Sequence, residues 1–161
     1  MIKLVTGDIL LSKAQVIAHG VAPHDHFNQG LALELRQLYP AMAKDFRHYC
    51  QVAGPKPGDL WAWAGADGRR VVCLMTQAAA KSKHGHPGVA TTHNVNLALR
   101  NLAHLCEEEG FESLALPRLA TGVGGLGWDD VLPLIEKHLG GLDLPVEVYE
   151  RYLKGVAVEP S

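Results

Sequence analysis

Several classes of protein are excluded by what this chain lacks. It has three cysteines, Cys50, Cys73 and Cys106, far apart and without a Cys-x-x-Cys pair. That spacing indicates neither a disulfide framework nor a zinc knuckle, and the three read as reduced thiols in or near the core. No apolar run reaches the roughly 18 residues that a membrane-spanning helix needs. The opening Met-Ile-Lys-Leu-Val reads as a strand and lacks the apolar stretch and cleavage site of a signal peptide, which implies a cytoplasmic location. Positive charge is scarce too. Fifteen Lys and Arg against 17 Asp and Glu give a net charge of −2 with no basic run, which argues against general binding to a nucleic-acid backbone. Recognition of one modified nucleotide stays open. Aromatic residues are only 6%, yet 47% of the 161 residues are hydrophobic, enough for one globular domain over residues 1–161 with a proper core.

What is present in abundance is glycine, concentrated between Leu116 and Trp128. The stretch Leu-Pro-Arg-Leu-Ala-Thr-Gly-Val-Gly-Gly-Leu-Gly-Trp joins an apolar strand to a helix whose first turn holds Asp129 and Asp130. Glycine has no Cβ, so several backbone N–H groups can converge on an anion while the following helix offers the positive end of its dipole. A phosphate or diphosphate is the natural guest.

A second loop has the same character. Gln15 to Gly20 reads as a buried strand, and Val21 to Gly30 then enters a helix with Leu31, Leu35 and Leu38 on one face. His24-Asp25-His26 and His84-Gly85-His86 carry metal-ligand residue types, but neither has a third ligand at a recognisable spacing. They read as solvent-exposed loop histidines, and no metal or cofactor is expected.

The remaining pattern alternates strands and helices. Asp8 follows a first strand, Ile2 to Val5, at a strand end where ligands bind in α/β folds. Pro40 closes the first helix, and a second, about Ala41 to Val52, buries Met42, Phe46, Tyr49 and Cys50. Asp59 to Gly65 and Arg70 to Thr76 form a hairpin with Trp61 and Trp63 packing on one face. Thr76 to Pro87 reads as a basic rim carrying Lys81, Lys83, His84 and His86. Thr91 or Thr92 caps a helix with Val95, Leu99, Leu102 and Cys106 inward, and Glu112 to Leu116 is a strand. The last helix, Trp128 to Leu139, buries Val131, Leu134, Ile135 and His138 or Leu139, with Pro133 near its first turn, and Pro145 to Tyr149 is the last strand. The class is α/β with a mixed sheet, because the hairpin is antiparallel and the other connections cross over.

Four segments in this order, Gly7-Asp8-Ile9-Leu10, Ile17-Ala18-His19 with Gln29-Gly30-Leu31-Ala32, Cys73-Leu74-Met75-Thr76, and Pro117-Arg118-Leu119 through Gly122 to Trp128, resemble a macrodomain. That module is a three-layer α/β/α fold that binds ADP-ribose. The chain is most similar to the branch with the terminal ADP-ribose glycohydrolase and the antitoxin that removes ADP-ribose from DNA. The resemblance implies a monomer that binds ADP-ribose or an ADP-ribosylated macromolecule and hydrolyses the ADP-ribosyl linkage. A non-catalytic reader of the same ligand is the alternative, and a phosphatase or deacetylase acting on ADP-ribose derivatives is a third.

It also implies roles. Asp8 holds the adenine amino group and Ile9 packs on the ring. Gly30, Leu31 and Ala32 offer amides to the diphosphate and distal ribose, with His19, Asn28 and Gln29 beside them. Thr121, Gly122, Val123, Gly124, Gly125 and Leu126 wrap the phosphates from the other side, between Thr76 and Pro117 at strand ends, and Tyr149 lies near the adenosine. The human-type enzyme of this branch has a lysine directly after the strand-ending threonine and an acid within the glycine loop. Here those positions are Gln77 and Gly124. Lys81 or Lys83 is then the candidate nucleophile, able to form a Schiff base after ring opening, and His84 or His86 the candidate acid or base.

Overall fold

The computed structural model describes residues 1–82 and 85–158. Six strands form one sheet: β1 (Ile2–Gly7), β2 (Val16–Val21), β3 (Leu60–Ala64), β4 (Arg70–Met75), β5 (Leu114–Pro117) and β6 (Val146–Tyr152), in the order β1-β6-β5-β2-β4-β3. β3 runs antiparallel to β4 and every other pairing is parallel, so the sheet is mixed, as the hairpin and crossovers dictate.

The four helices are α1 (Gly30–Leu38), α2 (Pro40–Ala53), α3 (Thr92–Glu109) and α4 (Trp128–Leu139). Alternation along β2 sorts the core into two halves. Val16 and Ala18 face a cluster with Val95, Leu99 and Leu102 of α3 and Val131 and Ile135 of α4. Ile17 and Val21 face Leu35 of α1 and Met42, Phe46 and Cys50 of α2. The sheet is thus covered by a helical pair on each face, because period-2 strands present apolar residues both ways when buried on both sides. All three cysteines are free and buried.

Thr91 caps α3 by accepting the Asn94 N–H at 3.1 Å, and the left-handed Gly110 ends it. Three details differ from the expectations. Pro40 opens α2 at its first position, where its missing N–H costs nothing, and Tyr39 serves as the end of α1 and the cap of α2. Leu38 is 52% exposed, because α1 turns into α2 before its last residue reaches the core. In α4, Leu139 is buried whereas Leu134 and His138 are half-buried, since the inward stripe runs Val131, Ile135, Leu139. Trp61 and Trp63 pack as expected, Trp61 on Phe46 and Tyr49, and Trp63 on Tyr39 with its Nε1–H donated to Asp45. Among the described residues no helix is long and apolar enough to cross a membrane.

Candidate functional site

The C-terminal ends of β2, β4 and β5 open onto one cavity of about 750 Å³. Two loops form its sides. One, after β2, contributes His24, Asp25, Asn28 and Gln29 and runs into Gly30, Leu31 and Ala32 of α1. The other, after β5, contributes Arg118, Ala120, Gly122, Val123 and Gly124. The two therefore face a common space.

Their backbone groups are available to a ligand. Within α1 the first N–H to find a carbonyl is that of Leu33, which reaches Gln29 at 3.3 Å. The N–H groups of Gly30, Leu31 and Ala32 have no acceptor among the described residues, as at any helix start. In the second loop, Gly125 N–H donates to Gly122 and Leu126 N–H to Ala120, both at 3.0 Å. Those bonds close the turn and leave the N–H groups of Thr121, Gly122, Val123 and Gly124 without an acceptor among the described residues. Six of these seven amides belong to residues that line the cavity, all but that of Thr121, and such a set suits an anion.

Both loops hold backbone that polypeptides ordinarily avoid. The described non-glycine residues with positive φ are His24 (58°), Phe27 (55°) and Ala120 (63°), and all three sit in these two loops. Each costs of order 1 kcal/mol or more and persists only where the surroundings fix it. The fixing groups are visible. Asp25 accepts the Ala22 N–H through Oδ2 at 2.9 Å and the Phe27 N–H through Oδ1 at 2.8 Å. Phe27 is buried against Phe46 at 4.9 Å between ring centroids. The His-Asp-His stretch is thus organised by its central carboxylate, a role the sequence pattern did not reveal.

The charge of the lining is positive. Arg36, Arg47 and Arg118 line the cavity, and Asp25, the sole acidic residue of the lining among the described residues, already serves two amides. Arg36 is aimed by its bonds to the His26 carbonyl at 3.0 Å and Asn28 Oδ1 at 2.9 Å. Arg118 lies 5.3 Å above the Trp128 ring. These arginines were not among the expected contacts; Arg47 comes from α2, whose reach across the cavity is a tertiary property.

At the floor are His19 and Gln77, both buried. Burial lowers the His19 imidazole from 6.5 to about 4. An imidazole whose folded pKa lies below its unfolded value binds its proton first in the unfolded chain, so its contribution is complete above pH 6.5 and is lost as pH falls toward 4. Between pH 7.5 and 4.5 this one group should remove between about 2 and 3 kcal/mol of stability. Urea titrations of the wild type and of His19→Gln at the two pH values check it: the variant should lose less by that margin, and equal losses refute it. Gln77 donates Nε2 to the Gly88 carbonyl at 3.1 Å, tying the segment after β4 to the cavity edge.

Of the residues expected from the sequence, His19, Asn28, Gln29, Gly30, Leu31, Ala32, Pro117, Gly122, Val123 and Gly124 line the cavity. Thr121, Gly125 and Leu126 lie within the same loop, bonded internally. Thr76 is fully buried, its Oγ1 without a partner among the described residues and 2.9 Å from where a Cβ on Gly20 would stand. Asp8, Ile9 and Tyr149 are buried outside the cavity lining. Asp8 accepts N–H groups from Leu10 at 3.0 Å and from Gly155 at 2.9 Å, so the chain after β6 folds over it. Lys81 is exposed and does not line the cavity, whereas His86 does. Lys83 and His84 lie outside the described residues. Among those described, no three His, Cys, Asp or Glu side chains group so as to hold a metal.

Comparison with known proteins agrees with this geometry. The family model described as Macro domain matches residues 25–135. The chain is 27% identical over 175 aligned positions to a DNA ADP-ribosyl transferase-DNA ADP-ribosyl glycohydrolase fusion protein of Thermosipho africanus, covering 99% of this chain and 45% of that one. It therefore spans less than half of that relative's length. It is 24% identical to the human ADP-ribose glycohydrolase OARD1, covering 92% of this chain and 90% of that protein. Among solved structures, the macrodomain of Thermus aquaticus DarG superposes with a TM-score of 0.80 at 25% identity, covering 93% of this chain and 98% of that one. The chain belongs to the macrodomain family.

Proposed function

We propose that the cavity binds ADP-ribose and that the protein hydrolyses ADP-ribosyl groups from a modified macromolecule. The observation that carries the reading is the pair of amide-bearing loops on opposite sides of one cavity, with Arg36 and Arg118 beside them. Two phosphates joined by a bridging oxygen need donors from two directions, and free N–H groups with arginine supply them without a metal. In this reading Gly30, Leu31 and Ala32 hold one side of the diphosphate and Gly122, Val123 and Gly124 the other. Asp8, Ile9 and Tyr149 are assigned the adenosine end. The names of the relatives, a DNA ADP-ribosyl glycohydrolase and an ADP-ribose glycohydrolase, support hydrolysis as the reaction.

Hydrolysis breaks the bond between the distal anomeric carbon and the carrier atom; water gives its oxygen to the carbon and a proton passes to the carrier. Among the described residues no lysine lines the cavity, and the one carboxylate that does, Asp25, is engaged. Among the described lining groups, the exposed imidazoles of His24, His26 and His86 are available to move that proton.

Calorimetry with ADP-ribose should give a micromolar Kd, about −8 kcal/mol. A folded protein that gives no heat overturns the reading. A reader that leaves the linkage intact is the second possibility, favoured by Gln77 and Gly124 at the positions of the enzyme's lysine and acid. Time courses with ADP-ribosylated protein and DNA separate the two: release of ADP-ribose identifies the hydrolase. Lys81→Ala or Lys83→Ala locates a lysine nucleophile if turnover stops while ADP-ribose affinity stays.

A further inference from the structure

His19 and Cys73 are direct partners across the β2–β4 ladder, and the structure brings His19 Nε2 to 3.4 Å from Cys73 Sγ. Both residues are buried, and of the pair only His19 lines the cavity. The ring is further held by Phe27, 6.1 Å away between centroids. Its other nitrogen, Nδ1, has no hydrogen bond among the described residues. Nor is it one of the two described buried side-chain atoms lacking a partner, which are Thr76 Oγ1 and Trp128 Nε1. Nδ1 therefore opens on the cavity.

Which nitrogen carries the proton decides what the cavity is offered. If Nε2 donates to sulfur, a bare Nδ1 lone pair faces the ligand. If the thiol donates to Nε2, an Nδ1–H faces it. Sulfur is a weak acceptor, whereas an imidazole nitrogen is a good one, so the second arrangement is preferred. We infer that Cys73 is a positioning residue: its S–H donates to His19 Nε2 and directs an uncharged Nδ1–H into the cavity, as a donor to a phosphate or ribose oxygen of the ligand. Burial and the nearby Asp25 and Cys50 raise the Cys73 thiol well above its ordinary value, while burial lowers His19, so the proton stays on sulfur and neither group becomes charged at neutral pH. The donor's role rests on the ADP-ribose reading; the protonation pattern does not.

Long-range proton–nitrogen correlation spectra of the full chain test it. In the wild type, His19 should show a bare Nε2 and a protonated Nδ1 from pH 5.5 to 8. Cys73→Ser keeps a hydroxyl donor and should keep both this pattern and the ADP-ribose affinity. Cys73→Ala should shift the population toward Nε2–H and weaken ADP-ribose by about tenfold, the size of one hydrogen bond to a charged oxygen. A protonated Nε2 in the wild type overturns the inference without any variant, and so does a Cys73→Ala protein that retains the wild-type pattern. A wild type that shows the pattern but takes up no ADP-ribose overturns the functional reading and leaves the Cys73–His19 assignment standing.

Discussion

Gly124→Ala is expected to lower stability by between about 1 and 3 kcal/mol and to weaken ADP-ribose binding more than tenfold. A Cβ at this position would stand 2.6 Å from the Ala120 carbonyl oxygen and 3.0 Å from Ala90 Cβ. The carbonyl cannot withdraw, because it receives the Leu126 N–H that closes the loop, and the Gly124 carbonyl is itself held by Ala90 N–H at 2.9 Å. The methyl group must therefore distort the backbone that carries the free amides. Gly141→Ala is the control, since nothing lies within 4 Å of its Cβ position. Chemical denaturation and calorimetry on the two variants decide the matter, and equal behaviour would remove the steric account. The same obstruction meets Gly124→Asp, so restoring the acid of the human-type enzyme should damage the loop before it can aid the reaction.

Phe27→Ala should cost about 3 to 5 kcal/mol, the usual price of emptying a buried aromatic site. Phe27 is 1% exposed, in contact with the rings of Phe46 and His19, and its backbone stands at φ 55°. Without the ring, the left-handed turn loses what compels it, and the Gly30, Leu31 and Ala32 amides lose their placement. Affinity for ADP-ribose should fall together with the unfolding midpoint in urea. Phe27→Leu, which keeps most of the apolar volume, should retain much of both. A Phe27→Ala protein within about 1 kcal/mol of the wild type would show that the loop is held by Asp25 alone.

Local signals in the sequence carried far. The glycine-rich loop, the hairpin of β3 and β4 and the inward stripe of α3 are each written in consecutive or helically spaced residues and were found where expected, and of the two threonines offered as the α3 cap it is Thr91 that serves. What escaped are pairings between distant segments. Gly155 reaches Asp8 across 147 positions, and Cys73 meets His19 across 54, so neither partner is implied by its neighbours in the chain. Arg47 reads as an outward residue of an amphipathic helix until α2 is laid beside the cavity. Asp25 was legible as a carboxylate between two histidines, and its bonds to Ala22 and Phe27 depend on a backbone path that residue types alone do not specify.

The loop entering α1 is rooted in the helical layer on one face of the sheet, and the loop entering α4 in the layer on the other. A guest gripped by both becomes a staple joining two halves of the molecule that lie on opposite faces of the sheet. Occupancy at a hundred times Kd would raise the unfolding free energy by about 2.7 kcal/mol. Amide exchange should slow in α1 and α4 together, although they pack on opposite faces of the sheet.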